Sequence, residues 1–143
     1  MPGILVGLDG SEHSHKALDW AVKHAALEHA PLTVLAVHEV ALSAWTGSPI
    51  IYPEDRPEEE HARQAAQEAV TKAVGELDGP GPESVTVRAV SGQAAQALIE
   101  ASADADLVVV GSRGAGGFAS LLTGSVSSQV VNHAACPVVV VRD

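Results

Sequence analysis

Leu107-Val-Val-Val-Gly111-Ser-Arg-Gly114-Ala-Gly-Gly-Phe-Ala-Ser-Leu-Leu-Thr-Gly124-Ser125-Val126 is the stretch on which the reading of the chain turns. The run from Leu107 to Val110 is short, apolar and β-branched, the pattern of a buried strand. Small residues follow at once, and after Gly124-Ser125 apolar residues return at helical spacing as Val126, Val130 and Val131. Strand, glycine-rich loop and helix in this order make a cradle for an anion. Glycine lacks the Cβ that would hold a phosphate away from the backbone N–H groups.

The same alternation repeats along the whole chain. Ile4 to Leu8 is a first apolar strand, ending at the turn-forming Asp9-Gly10-Ser11. Ser11 can cap a helix whose face is Ala17, Leu18, Ala21, Val22, Ala25 and Ala26, with Pro31 as its stop. Leu32 to Val37 is a second strand. The stretch from Ala41 to Arg56 has no period and carries Trp45 and Tyr52 among prolines and a glycine. From Pro57, with three glutamates in its first turn, a long helix presents Ala62, Ala65, Ala66, Ala69, Val70, Ala73, Val74 and Leu77. Val85 to Val90 is a third strand. Ser91-Gly92 is expected to open a short helix with Ala94, Ala97, Leu98 and Ala101 inward. Leu107 to Val110 is the fourth strand, Ser125 to His133 the last helix, and Pro137 to Val141 a fifth strand.

Strands that alternate with helices long enough for right-handed crossovers imply a parallel sheet covered on both faces. The expected fold is therefore α/β, one domain over residues 1–143, with an open five-stranded parallel sheet of Rossmann-like type in the order 3-2-1-4-5. Ligands of such sheets sit beyond the carboxyl ends of the strands, where the winding reverses. Asp9 and Gly111 both fall at carboxyl ends, and this order makes them neighbours.

Bulk composition narrows the function. A formal charge of −10, with no cluster of Lys or Arg, lacks the electrostatic footprint of a nucleic-acid or anionic-lipid partner. An acidic chain that holds a polyanion has to use backbone dipoles and isolated cations, and Arg113 is well placed for that. The N-terminus reaches Asp9 too soon for a signal peptide or membrane span, and the single cysteine, Cys136, fits a reducing, cytoplasmic setting. Aromatic content of 3% leaves Ala, Val and Leu to fill the core.

The spacing Gly111-x2-Gly114-x9-Gly124-Ser125 resembles that of the universal stress protein family, whose nucleotide-binding members carry Gly-x2-Gly-x9-Gly-Ser/Thr after the fourth strand. The likeness extends to Ile4–Ser11, to Ser91-Gly92 and to the ending Cys136-Pro137-Val-Val-Val. It implies an adenine nucleotide alpha hydrolase-like fold and binding of ATP. By the same resemblance, Asp9 accepts hydrogen bonds near adenine and ribose, Val37 lies against the base, and Gly7, Leu8 and Val110 flank them at the strand ends. Gly111, Arg113 and Gly114 then line the ribose and phosphates, while Gly124, Ser125, Val126 and Ser127 present N–H and hydroxyl groups to the phosphates at a helix N-terminus. Arg113 falls where the family varies.

Other motifs fail. No Gly-x4-Gly-Lys-Ser/Thr is present, and Gly114-x-Gly116 lacks the third glycine of a dinucleotide fingerprint. His13 and His15 are spaced to opposite sides of a helix, and no acidic or thiol partner completes a metal site. Cys136 reads as a small core residue. The resemblance also implies a homodimer through Val138 to Val141, since four valines on a terminal strand need cover. The expected function is thus nucleotide binding by a dimeric stress-response or signalling module. The alternative is a slow ATPase or self-phosphorylating enzyme with Ser125 or Ser127 as acceptor and Mg2+ on the phosphates, but no general base accompanies the loop. A relative that has lost nucleotide binding would not be expected to keep the glycine spacing.

Overall fold

A computed structural model of the chain describes residues 3–9, 12–39, 55–112 and 125–142. Among them the elements follow as β1 (Ile4–Leu8), α1 (Glu12–Glu28), β2 (Pro31–Glu39), α2 (Asp55–Gly75), β3 (Ser84–Gly92), α3 (Ala94–Ser102), β4 (Leu107–Gly111), α4 (Ser125–His133) and β5 (Val138–Val141). All pairings are parallel, and the strand order is β3-β2-β1-β4-β5. The α/β architecture and strand order are those the sequence implies.

Alternation along the inner strands divides the core in two. Ile4, Val6, Leu8, Leu32, Val34 and Ala36 pack with Ala17, Leu18, Ala21 and Val22 of α1 and with Ala66, Val70 and Ala73 of α2. Leu5, Leu35, Val37, Val108 and Val110 point the other way, toward Ala94, Ala95 and Leu98 of α3 and Val130 of α4. Strands buried on both faces are apolar at every step, which is why β1 and β4 read as runs rather than as alternating patterns.

Several boundaries move for physical reasons. Ser91 and Gly92 do not open α3; they pair with His38 and Glu39 and extend β3, because β2 continues to offer partners that far. Gln93 takes the cap position of α3 in an extended conformation, with no side-chain cap bond. α2 starts at Asp55, ahead of Pro57, and a proline in the first turn is tolerated because its missing N–H has no intrahelical partner. α1 stops before Pro31 is reached. His29 adopts φ 51, and two bonds, His29 N–H to Ala26 O at 3.2 Å and Ala30 N–H to Ala25 O at 2.9 Å, close the helix. This is the paired pattern of a Schellman motif.

Of the expected core positions, Ala26, Ala62, Ala69, Val74, Leu77 and Ala101 are half-buried, and others lie as near the surface or nearer. Ala65 of α2 is exposed and Ala97 of α3 is only half-buried, while Val131 is 44% exposed because α4 turns Val130 inward instead. Ser102, which periodicity did not place in the core, is buried at the end of α3.

Candidate functional site

The chain runs outward from β1 to β2 and β3, then returns so that β4 lies on the other side of β1. The strand order therefore reverses between β1 and β4, and their carboxyl ends diverge there into separate helices. A crevice partly open to solvent occupies this point, with about 410 Å³ of empty space when the open solvent at its mouth is counted.

Each wall follows from a local feature of the sequence. Gly7, Leu8 and Asp9 come from the end of β1, Val37 from β2, and Val110 and Gly111 from β4. Val126 and Ser127 enter from the first turn of α4, whose N-terminal end carries the positive pole of the helix dipole. The opposite wall is Ala94 and Leu98 of α3, and Ser14 of α1 completes the lining. Gly7 has no side chain, and that lets Leu98 of α3 come close to β1: a Cβ there would lie 2.8 Å from Leu98 Cδ1.

Among the described lining residues, polar side chains are few. Asp9 is half-buried, and its N–H donates to Ser14 Oγ at 3.4 Å. Ser127 is 2% exposed, and its hydroxyl donates to Ser112 O at 3.4 Å, tying the start of α4 to the residue that follows β4. The result is a mostly apolar slot whose described lining includes one acidic residue, Asp9, and the first turn of α4. Such a slot suits a flat apolar ring that carries hydroxyls and an anionic tail.

The structure therefore brings together Gly7, Leu8, Asp9, Val37, Val110, Gly111, Val126 and Ser127. Ser125 is the first residue of α4. Arg113, Gly114 and Gly124, together with the stretch containing Trp45 and Tyr52, lie outside the described residues. Among the described residues, no group of three or more His, Cys, Asp or Glu could hold a metal ion, and no helix is long and apolar enough to cross a membrane.

The universal stress protein family matches residues 2–142. The chain belongs to that family. A curated universal stress protein of Mycolicibacterium smegmatis is 38% identical over 143 residues, covering 98% of this chain and 48% of its own length. This universal stress protein thus spans about half the length of the curated relatives it matches. Among solved structures, UspA of Lactobacillus plantarum superposes with a TM-score of 0.78 at 24% identity, covering 98% of this chain and 97% of that one. A universal stress protein solved in complex with cAMP reaches 0.69 at 27% identity, covering 98% and 95%.

Sequence reasoning missed three wall residues of this universal stress protein. Ala94 and Leu98 were legible as the inner face of α3, but periodicity does not distinguish a helix face on a core from one on a crevice. Ser14 gave a fainter signal: it sits one turn before Leu18, on the side of α1 that faces the sheet.

A second and larger hollow, about 880 Å³, runs between β3 and α3 and is lined by Arg88, Gln93, Gln96, Glu100 and Asp104. It lies along the sheet edge, away from the reversal point, and contains none of the glycine-loop residues.

Proposed function

We propose that this universal stress protein binds an adenine nucleotide, ATP above all, in the crevice between the ends of β1 and β4. The observation that carries the reading is the meeting of Asp9, Val37, Gly111 and Ser127 around one apolar slot at the reversal of the strand order. Val37 and the apolar lining take the base, and the Asp9 carboxylate accepts hydrogen bonds from the base and ribose end. The phosphates fall toward α4, where Gly111, Arg113, Gly114, Gly124, Ser125, Val126 and Ser127 offer N–H, guanidinium and hydroxyl donors. The cAMP held by a 27% identical family member supports the same nucleotide class. Bound nucleotide stabilises the folded chain in proportion to its occupancy.

Native purification followed by gentle denaturation and mass spectrometry identifies any carried nucleotide, and calorimetry then ranks ATP, AMP and cAMP. Gly124→Val combined with Asp9→Ala is expected to abolish binding. Wild-type affinity in that double variant would sink the site assignment.

The same reading includes a homodimer through β5. Its valines are all half-buried at the outer edge of the sheet, and a second copy would cover them. Val139→Asp or Val140→Asp is expected to give monomers or aggregates in light scattering, and an unchanged dimer mass would count against this interface.

A further inference from the structure

The crevice lining is mostly apolar, and its polar side chains among the described residues are Asp9, Ser14 and Ser127. Ser127 belongs to the phosphate end. Ser14 has no such assignment, yet it is only 5% exposed and its Oγ accepts the Asp9 N–H at 3.4 Å, the long end of hydrogen-bonding distance.

The position of Asp9 explains why such a bond matters. On one side the β1 ladder ends at the pair Leu8 and Ala36, and on the other it ends already at Val6 and Val109. Asp9 is therefore the first residue that the sheet no longer holds. α1, by contrast, is anchored by Ala17, Leu18, Ala21, Val22 and Ala25, each no more than 1% exposed. A hydrogen bond from Asp9 to the first turn of α1 ties the loose end of the strand to a fixed element. Binding groups held in place beforehand lose less freedom when the ligand arrives.

We propose that Ser14 is a positioning residue for nucleotide binding: its hydroxyl holds the Asp9 main chain so that the Asp9 carboxylate faces the base and ribose end of the ligand. The proposal rests on the adenine-nucleotide reading given above. Because Ser14 acts through Asp9, its contribution disappears when the Asp9 carboxylate is absent.

The test is a double-mutant cycle on the full chain, read by calorimetry with ATP and AMP, with thermal melting confirming that each variant is folded. Ser14→Ala is expected to weaken binding about three- to tenfold, the effect of one ordinary hydrogen bond. Ser14→Thr, which keeps the hydroxyl, is expected to bind like wild type. In an Asp9→Ala background the same Ser14→Ala change is expected to alter affinity by less than about twofold. Unchanged affinity in Ser14→Ala overturns the proposal alone, and so does an equal loss in both backgrounds. Absence of adenine-nucleotide binding by the wild-type chain overturns the nucleotide reading, and this proposal with it.

Discussion

Gly7 on β1 and Leu98 on α3 approach so closely that an ideal Cβ on Gly7 would meet Leu98 Cδ1 at 2.8 Å and Cδ2 at 3.0 Å. The absent side chain thus lets α3 settle on the sheet beside the crevice that both residues line. Leu98 is 2% exposed and has little room to turn away. Gly7→Val is expected to destabilise the fold by about 1–3 kcal/mol, as overpacking of a filled core does, and to lower nucleotide affinity together with stability. Adding Leu98→Ala should recover part of the stability by vacating the space. Urea unfolding of the single and double variants checks this, and additive losses would show that the two positions do not compete for one volume.

His29 ends α1 with φ 51, a left-handed conformation that costs a residue with a Cβ about 1–2 kcal/mol. Glycine occupies this position in most such caps, and histidine is among the few other residue types enriched there. His29→Gly keeps both closing hydrogen bonds, since they use main-chain atoms. Set against the greater freedom of glycine in the unfolded chain, a gain of roughly 0.5–1 kcal/mol in urea unfolding is expected. Lower stability than wild type would show that the histidine ring makes a compensating contact.

These two sites show what the sequence discloses and what it hides. Strand existence and order were legible because buried parallel strands are unbroken apolar runs and the helices between them have one small-residue face. From the order alone followed the neighbourhood of Asp9 and Gly111, and with it most of the crevice. Boundaries were less legible. Pro31 announces that a helix must end but not that His29 ends it, and Ser91-Gly92 looks like a helix start until β2 is known to pair with both. Ser14, Ala94 and Leu98 were hidden for a related reason: inward-facing residues have the same periodicity whether they meet a core or the wall of a site.

Ser102 joins two segments that periodicity treats separately. Its hydroxyl donates to Ile99 O at 2.6 Å and accepts the N–H of Ala135 at 2.9 Å, while the side chain is 1% exposed. The bond holds the turn between α4 and β5 against the end of α3. Ser102→Ala leaves the Ala135 N–H without this acceptor in a part-buried setting, and a loss of about 1–3 kcal/mol is expected. Ser102→Thr retains the hydroxyl and should recover much of it if the added methyl group fits. Thermal unfolding of both variants decides the matter, and equal destabilisation by Ala and Thr would point to packing rather than to the hydrogen bond.

Cys136, in that same turn, makes the stability of the chain fall at alkaline pH. Burial pushes its thiol pKa up, the nearby Asp106 carboxylate pushes it further, and a hydrogen bond with the Val108 backbone opposes them. The folded chain therefore keeps the proton at pH values where the unfolded chain has released it. The stability contributed by this group is present in full below the ordinary thiol pKa and is lost as pH rises through the folded value. Between pH 8 and 10 the wild type should lose more stability than Cys136→Ser, measured as the shift of the urea midpoint. Because the thiolate is the reactive form, iodoacetamide should also modify Cys136 more slowly in the folded chain than in urea at the same pH. Faster modification of the folded chain would mean that the local field favours the thiolate, contrary to the burial and the Asp106 charge that surround it.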